Sequence, residues 1–256
     1  MACFYRTAAA VCLVALCGLR SVAAGKTTTY EFTAVDVNED AYVAANLVRN
    51  GKLAVHISEV TKNATLVSDL KHKVEQASGE PLESCDGLID TSNPIGIFNH
   101  TSEYAESPNY RTMLQAALDK GLEVFKAKGY QNKWKEIWGD ADGANLAYLL
   151  GSNSTSMGCV IGTCSKVVTT TDQRSETPPE VTPEKTVLLC ELSPAAEKEK
   201  APFDEEYFNE LVARTARLAE MTEEDLKAPS NDGTAAAAIP TTLAAGLVAM
   251  LTAVSS

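Results

Sequence analysis

Four cysteines, Cys85, Cys159, Cys164 and Cys190, constrain the body of this 256-residue chain more than any other feature. Three of them lie between residues 145 and 196, a stretch that also holds two apolar, β-branched runs of strand length. These runs are 157–163 (MGCVIGT) and 186–192 (TVLLCEL), and both read as core strands. In an oxidising compartment an even set of cysteines reads as two disulfides. Compartment therefore has to be read first, and the two ends of the chain supply it.

The other three cysteines, Cys3, Cys12 and Cys17, sit at the N-terminus, where Arg6 precedes an apolar run (7–19) and the small residues Ser21 to Ala24. That order is a secretory signal peptide, residues 1–24, cut after Ala23 or Ala24; the run is too short to span a bilayer. At the other end, Ser230-Asn231-Asp232-Gly233 is followed by a short Thr-Ala spacer and an apolar tail with no Lys or Arg beyond it. Small residues, spacer and tail make the pattern of a glycosylphosphatidylinositol (GPI) attachment signal. Asn231 is the expected site, with Ser230, Asp232 and Gly233 as alternatives. Residues 25–227 are then one ectodomain, 228–234 the stalk and attachment region, and 235–256 a tail that is removed. The only membrane contact would be through the lipid, at the outer leaflet of the plasma membrane.

A formal charge of -12, with no block of basic residues, disfavours nucleic acid and anionic membrane surfaces as partners. Along the body, 30–35 (YEFTAV) reads as an edge strand or an extended lead-in. Asn38, Glu39 and Asp40 start a helix with Ala41, Ala44, Ala45, Leu47 and Val48 on its apolar face, ended by Gly51. Residues 63–77 repeat Leu66, Val67, Leu70, Val74 and Ala77 at helical spacing. A long loop is expected over 79–107, around Cys85. Ser107-Pro108 then reads as cap and first position of a helix with Leu114, Leu118, Gly121, Leu122 and Phe125 on one face, stopping at Gly129. WKEIW (134–138) alternates apolar and charged residues like a half-buried strand, with both tryptophans directed into the core. Residues 169–184, polar and Pro-rich, are a surface excursion at the end of a hairpin. A last helix covers 204–218, and 222–227 adds a further turn.

Four cysteines allow three pairings. Cys159 and Cys164, five apart in one strand, would be about 16 Å apart and on opposite faces, too far for a bridge. The expected pairing is Cys164–Cys190, closing the polar insert, with Cys85–Cys159 tying the long loop to the sheet.

The order SNSTSMGC, a second Cys, a strand and VLLCELSPAA resembles the end of the CAP superfamily domain (cysteine-rich secretory, antigen 5 and pathogenesis-related proteins). The blocks KWKEIW, LAYLLGSNSTSMGCVIG, LLCELSPAA and PFDEEYFNELVART are similar, in order, to GPI-anchored surface antigens of Eimeria-type coccidian parasites. The resemblance implies a three-layer α/β/α sandwich with a mainly antiparallel sheet. It implies the same disulfide pairing, display on an invasive stage, and attachment to host cells or contact with immunity. The chain departs from the CAP metal site, because one of its histidines would fall at Asn145.

His56, His72 and His100 lack metal-ligand spacing. No Gly-rich phosphate loop, Gly-x-Ser-x-Gly elbow or His-Glu-x-x-His helix occurs. No enzyme, cofactor or metal is therefore expected. Asn63, Asn99 and Asn153 open glycosylation sequons. The expected partners of a monomer are a host-cell receptor or an antibody; the alternative is a carrier that holds a sterol or fatty acid in an apolar groove.

Overall fold

A computed structural model describes residues 25–77, 84–85, 96–171 and 178–227. The signal segment with Cys3, Cys12 and Cys17, part of the polar insert, and Ser230, Asn231, Asp232 and Gly233 with the apolar tail lie outside the described residues. Strands are β1 (Gly25–Asp36), β2 (Thr61–Lys62), β3 (Phe98–Glu103), β4 (Ser156–Thr171) and β5 (Glu180–Ser193). Helices are α1 (Glu39–Asn50), α2 (Ala64–Ala77), α3 (Tyr110–Lys128), α4 (Trp134–Trp138), α5 (Ala141–Leu149) and α6 (Glu205–Ala213). Two 3-10 turns follow, Leu218–Glu220 and Glu223–Leu226. The expected α/β class with antiparallel strands is what the chain adopts. The sheet runs β1-β4-β5-β3, with β2 on β4; β1 is antiparallel to β4 and β3 to β5.

These elements divide into two compact units. The first joins β1, α2 and β3 to most of β4 and β5. Its core sets Val67, Leu70 and Val74, one stripe of α2, against Phe32, Ala34, Val160, Val187 and Leu189 of the sheet. Each Val, Leu or Phe among them contributes about 1.5–3 kcal/mol when fully buried. Two glycines of β4 allow this close packing. A Cβ at Gly158 would lie 2.5 Å from the backbone nitrogen of Val67, and one at Gly162 would lie 2.0 Å from Cζ of Phe32. Helix α2 thus rests directly on β4, and the Phe32 ring lies across the glycine gap.

The second unit holds α1, α3 to α6 and both 3-10 turns. Met113, Leu114, Leu118, Leu122 and Phe125 form the buried stripe of α3, as the sequence spacing requires. Gly121 lets α5 approach, since a Cβ there would meet the Leu146 side chain at 2.4 Å. Phe125 packs edge-on against Trp134 at 5.7 Å and stacks with Phe208 at 5.8 Å. Gly129, at φ +74, ends α3 by donating to Phe125 O at 2.8 Å, a left-handed position that suits glycine.

Several expectations need correction. WKEIW is the helix α4: Trp134, Ile137 and Trp138 are buried at i, i+3 and i+4, while Lys135 and Glu136 are exposed. Five residues fit either period, and tertiary packing selects the helical one. Both tryptophans do lie in the core, as expected. The 79–107 stretch is not all loop, because β3 forms within it by pairing with β5, Phe98 opposite Cys190. Helix α3 begins at Tyr110, two residues beyond Pro108, so Asn109 rather than Ser107 stands next to it. The last helix ends at Ala213 rather than at 218, because Arg214 turns extended (φ -60, ψ 125). Helix α5, set up by Asp140 accepting from the backbone N–H groups of Asp142 and Gly143, was not anticipated.

Candidate functional site

The four body cysteines do form two disulfides, but Cys85 pairs with Cys164 and Cys159 with Cys190. The expected Cys85–Cys159 and Cys164–Cys190 pairing is overturned by strand register. Cys159 and Cys190 stand opposite each other on β4 and β5, with Cα atoms 4.2 Å apart. Cys164, five residues further along β4, projects from the other face. There it pairs across the strands with Phe32 and meets Cys85, Cα to Cα 5.7 Å. Register and pleat decide the partner, and proximity to the polar insert does not.

The sequons fall in three settings. Asn153 is exposed in a turn closed by Ser154 N donating to Gly151 O at 3.1 Å. Asn99 is half-buried on β3. Asn63 stands before α2, and its Oδ1 accepts from Thr65 N at 3.0 Å and Leu66 N at 3.2 Å. That cap engages the carbonyl oxygen and leaves the amide nitrogen outside the bond.

The densest polar arrangement was not foreseen. Arg49 is fully buried among Ala and Leu residues of α1. Its guanidinium donates to Ser58 O, Leu149 O (2.6 Å), Gly151 O (2.9 Å) and Ser154 O. Burial draws its pKa down to about 10. Asn46 and Asn50, one turn apart, each make a reciprocal pair of 2.9 Å bonds, to the backbones of Val60 and Ile57. Three polar side chains of α1 thus strap down the 57–60 segment. Tyr207 donates to Arg49 O, and its pKa is pushed up by burial, with Arg49 and Arg214 opposing. Arg214 Nη1 donates to Leu47 O, Val48 O and Gly51 O at 3.0–3.1 Å, capping the negative end of α1. Its Nη2 is buried without a hydrogen-bond partner, and burial lowers its pKa. The only trace of this network in the sequence is polar residues at 46, 49 and 50 in a helix whose other residues after Tyr42 are Ala, Leu and Val.

Beside Arg214 lies a cavity of about 440 Å³. One stripe of α3 lines it, with Leu118 and Leu122 buried and Glu123 and Lys126 exposed. Gln115 and Asp119 extend the stripe, and the chain after α6 closes the other side through Arg214 and Arg217.

His56 lies on a loop with Nε2 2.9 Å from Leu53 O, His72 is exposed on α2, and His100 lies on β3. Asn145 is half-buried on α5. Among the described residues, no group of three or more His, Cys, Asp or Glu is placed to hold a metal ion. None of the described helices is long and apolar enough to cross a membrane.

No family model and no curated protein matches the sequence. Among solved structures, the chain is similar to the Eimeria tenella surface antigen SAG19, at 16% identity and TM-score 0.48, over 70% of this chain and 96% of that one. It is similar to hookworm platelet inhibitor at 15% identity and TM-score 0.40, over 67% and 79% of the two chains. For BmVAL-1 the values are 11% identity and TM-score 0.35, over 65% and 79%. The last two are CAP-superfamily proteins, so these three neighbours are a coccidian surface antigen and two CAP proteins, all at low sequence identity.

Proposed function

We propose that this chain is a GPI-anchored surface antigen: a non-enzymatic, monomeric ectodomain that meets a host-cell receptor or an antibody. The observation that carries this is the pair of processing signals at its ends, around a body that closes two disulfides. Such bridges persist in exported proteins, which agrees with a signal peptide. The exposed turn at Asn153 suits a glycan on an exported chain. An acidic ectodomain would be repelled by anionic membrane, so its surface attachment falls to the lipid.

Treating intact cells with phosphatidylinositol-specific phospholipase C tests the anchor. Release of the protein without its 235–256 tail is the expected result. Retention with the tail still detectable by mass spectrometry would mean a spanning helix and sink the anchor. Attachment is tested separately with the released protein, where saturable binding to host cells is expected and its absence from every host cell type would remove that role.

A further inference from the structure

The cavity between α3 and the 214–217 segment has a specific charge inventory. Asp119 is already engaged, accepting from Gln115 Nε2 at 2.7 Å and pairing with Arg217 at 3.5 Å. Gln115 Oε1 accepts from Leu218 N at 2.8 Å. Those polar groups are fixed by one another. Three charged groups lack an opposite charge. Glu123 and Lys126 make no hydrogen bond or ion pair among the described residues, and no described carboxylate pairs with Arg214, whose Nη2 is a buried donor without an acceptor. A cation buried without a counter-anion is costly, and Arg214 is among the residues that line the cavity, although its Nη2 is itself shielded from solvent.

We propose that this cavity binds a small carboxylate that carries its own O–H or N–H donors, of the acidic-sugar or free amino-acid kind. Its carboxylate faces Arg214 and Lys126, its donors face Glu123, and its carbon skeleton rests on Leu118 and Leu122. Rival chemistries leave a charge unmet. A bare anion confronts Glu123, a neutral sugar leaves both cations without a counter-charge, and an apolar molecule leaves all three groups unanswered. The volume lies within the roughly 300–1,000 Å³ typical of small-molecule sites. The site does not depend on how the chain is anchored.

Titration of the purified protein with glucuronate, leucine, acetate and glucose, followed by ligand-observed NMR, tests this. Glucuronate or leucine should bind at least about tenfold more tightly than acetate and glucose, and which of the two does so identifies the ligand kind. Lys126→Ala and Glu123→Gln should each weaken that binding by about tenfold, as loss of a charge-assisted hydrogen bond would. Both side chains are exposed, so both variants should melt like the parent. Acetate binding as tightly as either larger probe would reduce the site to a bare anion contact and overturn the proposal. So would the absence of saturation by any probe up to about 10 mM, or affinities unchanged in both variants.

Discussion

Arg49 and Arg214 are cations held without a carboxylate, each answered by backbone carbonyl groups of the second unit. Removing the Arg49 head by Arg49→Met leaves the carbonyls of Leu149, Gly151, Ser154 and Ser58 without their donor. Urea unfolding should show a loss of about 3–5 kcal/mol. Tyr207 gives a pH signature. Its pKa is raised on folding, so its contribution is whole below the ordinary tyrosine value of about 10 and is lost as pH climbs above it. Arg49 acts in the opposite sense. Because its pKa falls to about 10, the folded chain sheds a proton that the unfolded chain keeps, and its burial cost shrinks above that pH. In an ultraviolet tyrosinate titration, Tyr207 should ionise only as the protein unfolds. Tyr207→Phe should remove one tyrosinate from that late step, and an unchanged step would mean the phenol is accessible. None of this was legible beforehand: a buried Arg and two buried Asn residues on α1 look, residue by residue, like any solvated helix face. Only the backbone carbonyls they meet, up to 105 positions away, distinguish them.

At the scale of elements, α1, α2 and α3 could be read directly, because three or four turns of apolar spacing average out local ambiguity. The strands β4 and β5 were legible from their β-branched runs. Short elements were not. Helix α4 is too brief for its period to be decided, and β3 has little apolar alternation and owes its form to the β5 edge. The disulfide partners were hidden for a related reason, since a single residue of register exchanges the two faces of a strand. Gly162→Leu should destabilise the protein by about 1–3 kcal/mol or more in thermal melting, because the new side chain must displace the Phe32 ring. Replacing Asn63 separates its two roles. Asn63→Asp keeps an oxygen cap on α2 while abolishing the sequon, and should leave stability nearly unchanged; Asn63→Ala should cost about 1 kcal/mol. Equal losses in both variants would show that the cap contributes little.

For the whole molecule, the number of bridges followed from the four body cysteines and the α/β class from the family resemblance, whereas the pairing of those cysteines and the cavity did not. Its walls come from α3 and from a segment read as the continuation of the last helix. That segment departs from helix because Arg214 is drawn to the end of α1. The two bridges also interleave: 85 closes on 164, and 159, which lies inside that loop, closes on 190. Every peptide bond from 85 to 190 is therefore enclosed by at least one covalent ring. A single protease cut anywhere in that span should leave one band on a non-reducing gel and two after reduction. With the side-by-side pairing expected from spacing, a cut between 159 and 164 would have parted the chain. A nick in this region thus becomes a scar rather than a severance.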